Sequence, residues 1–235
     1  MKYLVSAYCW IILGIFLLTM LPFCIVFSYI IPMKRLDDFL KKSFRLLLKL
    51  MFVKVKVEGI EKLDINKSYV FMPNHVSFFD PVLIDSCIPH FVRALEVEKH
   101  FHWPIYGSFS RRMGNIPIDN KNVRESLKSI RKAEDCLNQG TSIVIFPEAA
   151  RTVDGEVQPF KRLPFLLAQE TGKAIVPVGM SGLFTLMPKK SLLLKPTTLK
   201  LKIGDIIDEE TVKTTDSKIL LEITRNEVLR LFEYK

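Results

Sequence analysis

The feature that most constrains this chain is a long segment without charge near its amino terminus. From residue 3 to 33 no position is charged, and Ile, Leu, Phe and Val predominate. About 20 apolar residues cross the hydrocarbon core of a bilayer, so this segment can span it once with tilt, or bend at Gly14 or Pro22 and dip into one leaflet. A cleaved signal peptide would have an apolar region of only about 7–15 residues before a small-residue cleavage site. We therefore expect a retained membrane anchor.

The positive charge of the chain is concentrated directly after this anchor. The formal net charge is +9, and residues 34–56 hold eight Lys and Arg against Asp37 and Asp38. Basic residues beside a membrane segment favour the cytoplasmic side and an anionic membrane surface. The rest of the chain is nearly balanced in charge and has no recognition motif, which argues against nucleic-acid binding. We expect a membrane protein whose folded part lies on the cytoplasmic face.

Residues 36–53 have the pattern of a basic amphipathic helix. Lys41, Arg45 and Lys49 recur every four residues on one face, while apolar residues line another face, namely Leu36, Phe39, Leu40, Leu46, Leu47 and Leu50. Such a helix beside an anchor is suited to the headgroup layer of a membrane. The alternative is an ordinary surface helix that packs on the folded part of the chain.

Beyond the basic segment, short apolar runs alternate with helix-like stretches. Val53, Val55 and Val57 alternate with charged residues, as in a half-exposed or edge strand. Further strands are predicted at 69–72, 91–95, 115–118, 142–146, 174–178 and 199–203, and helices at 123–137, 160–171 and 217–233. This order predicts an α/β fold with a mixed, partly parallel β-sheet flanked by helices. We divide the chain into 1–52, the membrane anchor with the basic amphipathic helix, and 53–235, the α/β domain.

Polar residues follow the predicted strand at 69–72. Histidine is the residue type whose ordinary pKa lies near neutrality, which makes His75 a candidate general base, and Asp80 could hold its second ring nitrogen. Five residues along a helix rotate by about 140°, so the two side chains can meet only if His75 precedes the helix. Pro81 favours the first helical position, which would make Asp80 the N-cap. The alternative is that Asp80 merely caps a helix and His75 is a solvated loop residue.

A second charged pair follows the predicted strand at 142–146. The planar fork of donors on Arg151 suits a phosphate, and Glu148 could orient that arginine or bind a substrate hydroxyl. The alternative for this pair is a salt bridge within the loop. Because the carboxyl ends of strands collect functional residues in α/β sheets, the two pairs together suggest a phosphate-bearing lipid activated by a histidine base.

Four ordered motifs in this chain resemble those of the glycerolipid acyltransferases. They are Asn74-His75 with Asp80, the segment from Gly114 to Asp119, Phe146-Pro147-Glu148 with Arg151, and Val176-Pro177-Val178. The match extends from about residue 53 to 204 and is similar in particular to 1-acylglycerol-3-phosphate O-acyltransferases, the lysophosphatidate acyltransferases. The resemblance implies the mixed α/β fold of that family.

The resemblance also implies a reaction and a set of site residues. His75, oriented by Asp80, would deprotonate the sn-2 hydroxyl of lysophosphatidate, which would attack an acyl thioester on coenzyme A or acyl-carrier protein and give phosphatidate. Neither a metal, a cofactor nor a covalent enzyme intermediate would be needed. Substrate binding would fall to the remaining motif residues, Asn74, Asp119, Glu148, Arg151 and Lys161. Pro177 would shape the pocket or the acyl channel.

The chain departs from the family pattern in ways that leave the acceptor open. Asn120 stands where an arginine is usual, and Arg111, Arg112 or Lys121 could supply that charge. Ala149-Ala150 replaces the common Gly-Thr pair, which removes a hydroxyl and some backbone freedom. Three alternatives remain: acylation of another lysolipid, a thioesterase, and a catalytically silent lipid-binding protein of the same fold.

Two histidines, the four cysteines and a run of three leucines are not assigned to the predicted active site. His100 and His102 lack a third ligand nearby and are interpreted as surface-loop residues. The cysteines at 9, 24, 87 and 136 lack metal-site or disulfide spacing. Residues 192–194, three leucines between lysines, fit either a second membrane-touching loop or a buried strand.

Overall fold

The computed structural model describes residues 1–118 and 123–233, without the side chains of 123–127. Two helices open the chain, α1 (Lys2–Phe27) and α2 (Met33–Leu50). Seven strands follow: β1 (Lys54–Glu58), β2 (Val70–Pro73), β3 (Val92–Val97), β4 (Ile116–Ile118), β5 (Ser142–Val144), β6 (Ile175–Ser181) and β7 (Thr198–Ile203). The other helices are α3 (Asp80–Cys87), α4 (Tyr106–Met113), α5 (Val123–Asn138), α6 (Leu163–Thr171), α7 (Leu183–Leu186), α8 (Glu209–Thr214) and α9 (Ser217–Leu231). Short 3₁₀ helices form at Ile60–Lys62 and Glu98–His102.

The strands form one mixed sheet in the order β1-β7-β6-β2-β5-β3-β4. Strands β6, β2, β5, β3 and β4 run parallel to one another, whereas β7 is antiparallel to β6 and parallel to β1. The predicted fold class, a mixed and partly parallel sheet flanked by helices, is confirmed. Each apolar run that was predicted to be a strand forms a strand. The three helices predicted in the α/β part also form, as α5, α6 and α9.

Both faces of the sheet are covered by helices. Because side chains alternate along a strand, Phe71 packs on one side with α1, α2, α3, α4 and α7, while Val70 and Met72 pack on the other side with α5, α6, α8 and α9. Buried apolar residues on both faces explain why the central strands read as continuous apolar runs. Parallel β2 and β5 are neighbours, so the loops at their carboxyl ends meet.

Helices α1 and α2 form an antiparallel pair against the first of these faces. Phe16 packs against Phe44, and Phe23 against Phe39, with ring centroids 5.5 and 5.1 Å apart. Helix α1 continues through both Gly14 and Pro22, and it is the one helix among residues 1–118 and 123–233 long and apolar enough to cross a membrane.

The predicted amphipathic helix is confirmed, although α2 begins and ends three residues earlier than the pattern at 36–53. It ends where Phe52 takes a left-handed conformation, with φ of 58°. One apolar face of α2 is buried against the domain, as the surface-helix alternative requires. A second stripe, made of Phe39, Leu46 and Leu50, stays exposed among basic residues.

Candidate active site

His75 and Asp80 meet in the loop that joins β2 to α3. Nδ1 of His75 lies 2.7 Å from Oδ2 of Asp80, whose side chain is fully buried. His75 precedes the helix, which is the condition that the five-residue spacing sets. The same carboxylate accepts hydrogen bonds from the backbone N–H of Val76 at 2.7 Å and of Ser77 at 2.9 Å.

These contacts correct the expectation that Asp80 is an N-cap. Helix α3 begins at Asp80 itself, with Phe79 in the cap position and Pro81 in the first turn. The carboxylate of Asp80 turns back to the amides that precede the helix, because the loop curls round it. Asp80 therefore holds His75 and the loop, and does not merely cap its own helix. Burial raises the pKa of Asp80, while the hydrogen bonds from His75, Ser77 and Val76 oppose that rise.

The imidazole of His75 is also fixed on its flat side. The ring of Phe146 stacks on it, with centroids 4.0 Å apart and the planes inclined by 26°. With Nδ1 engaged by Asp80, the second nitrogen, Nε2, has no hydrogen-bond partner among the residues that the structure describes. The side chain is 21% exposed, so Nε2 is the nitrogen that can receive a proton from a bound molecule.

The loop after β5 holds the main chain of His75 from both sides. Glu148 accepts the His75 N–H at 2.6 Å through Oε1, and the backbone N–H of Thr152 donates to the His75 carbonyl at 3.0 Å. The second oxygen of Glu148 accepts the N–H of Gln158 at 2.8 Å. Burial raises the pKa of Glu148 to about 7, against the hydrogen bonds from Gln158 and His75. Glu148 therefore bonds the protein's own backbone at both oxygens.

Arg151 lies in the same loop and keeps its guanidinium free. Its side chain forms no hydrogen bond or ion pair with any described residue, so the salt bridge with Glu148 that was the alternative is not formed. Its carbonyl oxygen accepts the ammonium of Lys189 at 2.8 Å. A half-exposed arginine without a partner, next to the His75 loop, is available to an anionic ligand.

His100 approaches this site, which the sequence analysis did not predict. It lies in the 3₁₀ helix after β3, and burial together with the charges of Lys99, Arg151 and His75 lowers its pKa. Nδ1 of His100 is 3.8 Å from Oε2 of Glu96, and its ring packs near Trp103. The available signal was its position shortly after the carboxyl end of the strand predicted at 91–95. No group of three or more His, Cys, Asp or Glu suited to a metal occurs among the described residues.

The remaining predicted site residues are placed differently. Asn74 is fully buried, and its side-chain amide bonds both the N–H and the carbonyl of Met180 in β6, at 2.7 and 3.0 Å. Lys161 has an exposed side chain, while its N–H donates to the Pro147 carbonyl. Asp119 lies outside the described residues, as do Asn120 and Lys121.

Both arginines of α4, which could supply the charge missing at position 120, are bonded to neighbouring elements. Arg111 donates to the Phe101 carbonyl, and Arg112 bonds the hydroxyl and the carbonyl of Ser28 at 2.8 and 3.0 Å. Both side chains hold neighbouring elements together.

The curated relatives described here are named 1-acyl-sn-glycerol-3-phosphate acyltransferases and have low sequence identity to this chain. A chloroplastic 1-acyl-sn-glycerol-3-phosphate acyltransferase of Arabidopsis thaliana is 30% identical over 172 residues, which is 72% of this chain and 47% of the relative. A 1-acyl-sn-glycerol-3-phosphate acyltransferase of Borreliella burgdorferi is 23% identical, over 77% of this chain and 72% of the relative. The chain spans about half the length of the plant relatives that it matches.

A solved structure and a family model complete the comparison. The crystal structure of the 1-acyl-sn-glycerophosphate (LPA) acyltransferase PlsC from Thermotoga maritima has the same fold, with a TM-score of 0.83 and 23% identity over 97% of this chain and 93% of that one. The family model described as acyltransferase matches residues 54–181, which is more than half of the chain and includes the His75, Asp80, Glu148 and Arg151 positions. The chain therefore belongs to the acyltransferase family.

Proposed function

We propose that the protein transfers an acyl chain from an acyl thioester to the sn-2 hydroxyl of lysophosphatidate and so forms phosphatidate for phospholipid synthesis. The observation that carries this proposal is the His75–Asp80 pair, 2.7 Å apart, together with Arg151 in the adjoining loop, whose guanidinium has no partner among the described residues. A base next to a free cation fits an acceptor that has both a hydroxyl and a phosphate. The names of the relatives support the same acceptor.

The geometry supports a direct transfer. Nε2 of His75 takes the proton of the sn-2 hydroxyl while the oxygen attacks the thioester carbonyl, and Asp80 stabilises the imidazolium that forms. When the tetrahedral intermediate collapses, the thiol of coenzyme A or acyl-carrier protein leaves and recovers that proton. The route uses these side chains and the two substrates, without a metal or a cofactor.

The other site residues divide into binding and positioning roles. Arg151 would bind the phosphate through its planar fork of donors. Glu148 and Asn74, which bond main-chain groups, would position His75 and the end of β2 and not touch the substrate. Lys161 and Asp119 keep the substrate-binding roles that the resemblance implies.

The membrane location follows from α1 and the basic residues beside it. Helix α1 is held near both ends, by the Tyr8 hydroxyl, which donates to the Leu50 carbonyl of α2, and by Ser28 just past its end, which accepts hydrogen bonds from Arg112 of the α/β domain. Its outward face is mainly apolar, with Leu4, Ile11, Ile15, Leu18 and Val26 exposed. A helix fastened along the domain favours insertion into one leaflet over a crossing away from the domain, with the basic residues at the anionic cytoplasmic surface.

An acceptor comparison tests the proposal. Arg151→Ala should raise the KM for lysophosphatidate about tenfold or more, because a charged hydrogen bond to the phosphate is lost, and leave the KM for the thioester unchanged. Arg131→Ala, an exposed arginine of α5, is the matched control. The proposal fails if Arg151→Ala weakens only the thioester, or if the wild type acylates monoacylglycerol as well as lysophosphatidate. Preference for a lysophospholipid with a larger headgroup would instead favour the other-lysolipid alternative.

A further inference from the structure

A loop beside α1 carries an exposed apolar tip that the proposed reaction does not use. Residues 188–195, here the 188–195 loop, lie between α7 and β7 and form neither helix nor strand. Leu192 at the tip is 79% exposed, and the exposed residues Lys190 and Lys195 flank it. A single exposed leucine is ordinary on a protein surface. The attachments of this loop are what distinguish it.

The tip and the carboxyl end of the loop are bonded to α1. The indole N–H of Trp10 donates to the Leu192 carbonyl at 2.7 Å, and the Leu194 N–H donates to the hydroxyl of Ser6 at 2.9 Å. Polar side chains are scarce in α1, and two of them serve to hold this loop. Leu192 and Leu193 also form an apolar depression with Tyr3, Ala7 and Trp10. The position of the loop relative to a membrane is therefore tied to the position of the first turns of α1.

The other end of the loop is bonded to the two loops of the active site. The ammonium of Lys189 donates to the Arg151 carbonyl at 2.8 Å, and the hydroxyl of Ser77 donates to the Met187 carbonyl at 3.0 Å. Ser77 itself belongs to the turn that Asp80 holds. The 188–195 loop is therefore bonded both to the first turns of α1 and to the main chain of Arg151.

We propose that the 188–195 loop is a second membrane-inserting element, with Leu192 among the acyl chains of the lipid. A bilayer is the occupant that fits, because the loop continues the apolar surface of α1 and its flanking lysines match an anionic headgroup layer. The inference rests on the membrane location given in the proposed function. Inserted in this way, the loop connects the bilayer to the place where the phosphate of the lysolipid would bind.

Depth measurements with spin labels test the loop without any need for turnover. The full chain, with the partly exposed native cysteine replaced (Cys136→Ser), would carry a nitroxide at Leu192→Cys in vesicles of phosphatidylcholine and phosphatidylglycerol. Leu18→Cys on the exposed face of α1 is the lipid reference, and Ile65→Cys in an exposed loop before β2 is the aqueous reference. The label at 192 should resemble that at 18, colliding with oxygen and avoiding a water-soluble nickel chelate.

The possible outcomes separate this inference from the proposed function. A label at 192 that meets the nickel chelate while the label at 18 does not would overturn the loop proposal alone. Labels at both positions that meet it would overturn the membrane location as well. Shielding of 192 from both reagents would indicate a protein partner and also overturn the proposal. As a second measurement, Leu192→Ser should weaken partition into the same vesicles about tenfold, whereas Ile65→Ser should leave it unchanged.

Discussion

The imidazole of His75 is held by contacts that no single segment of the chain supplies. Asp80 binds one ring nitrogen, Phe146 stacks on the ring, and Glu148 and Thr152 bond its main chain. In the proposed role of His75 as general base, an imidazole fixed in this way needs little rearrangement to reach the geometry of proton transfer. The pairing with Asp80 could be predicted from spacing and Pro81. The roles of Phe146 and Glu148 could not, because they depend on how strands about 70 residues apart align.

Glu148 gives the chain a testable dependence of stability on pH. Its folded-state pKa, about 7, lies above the ordinary value of 4.5. Between these two values the folded state keeps a proton that the unfolded chain releases. The contribution of Glu148 to the free energy of unfolding is therefore fully present below pH 4.5 and is lost as the pH rises through 7. In detergent, the free energy of unfolding should fall by about 3 kcal/mol more between these pH values in the wild type than in Glu148→Gln, which cannot titrate. Denaturant unfolding at several pH values measures this change. An equal change in the free energy of unfolding of the two proteins would contradict the assignment.

Ala149 has a backbone conformation that favours glycine. Its φ is +60°, and it stands where the family commonly has glycine, so its Cβ costs about 1 kcal/mol. Ala149→Gly should therefore raise the free energy of unfolding, by somewhat less than that because the unfolded chain gains freedom. Ala150→Gly, at the next exposed position with an ordinary φ, should lower it. Denaturant unfolding measures the stability of both variants against the wild type. A loss of stability in Ala149→Gly would show that the loop has another conformation.

At the scale of elements, Asn74 joins strand β2 to strand β6. Its amide bonds both main-chain groups of Met180 in a fully buried setting. Asn74→Leu would keep the volume and leave both groups unsatisfied, which should cost about 2–4 kcal/mol in the free energy of unfolding. Thermal unfolding checks this result, with Ser68→Ala, which removes one buried hydrogen bond, as the control. Unchanged stability with a raised KM for the lipid would instead support the substrate-binding role inferred from the family resemblance.

The strands were predictable from sequence because each is a short apolar run, whereas their order in the sheet was not. The run at 53–57 alternates, and the corresponding strand β1 lies at the edge of the sheet as expected. The end of α2 was missed by three residues because the apolar pattern continues past Phe52, where the backbone turns left-handed. The periodicity of apolar residues indicates which face of a helix is apolar. A single left-handed residue does not change that pattern, so the pattern does not predict where the helix ends.

At the scale of the whole molecule, helix α1 and the loops of the candidate active site belong to one connected structure. The buried face of α1 contributes Cys9, Leu13 and Cys24 to the core that also contains Phe71 and Phe79. This packing could not be predicted, because an uncharged segment looks the same whether its neighbours are lipid or protein. The position of α1 against the domain therefore emerges only from the fold.

The most direct test of this account is the reaction of the detergent-purified protein with an acyl thioester and lysophosphatidate. Thiol release and phosphatidate formation should be equal in the wild type. His75→Ala should lower both about 10²–10⁴-fold while the fold is retained, as loss of a general base requires. His102→Ala, an exposed histidine outside the site, should match the wild type. Phosphatidate formation by His75→Ala at the wild-type rate, or thiol release without phosphatidate, would contradict the account.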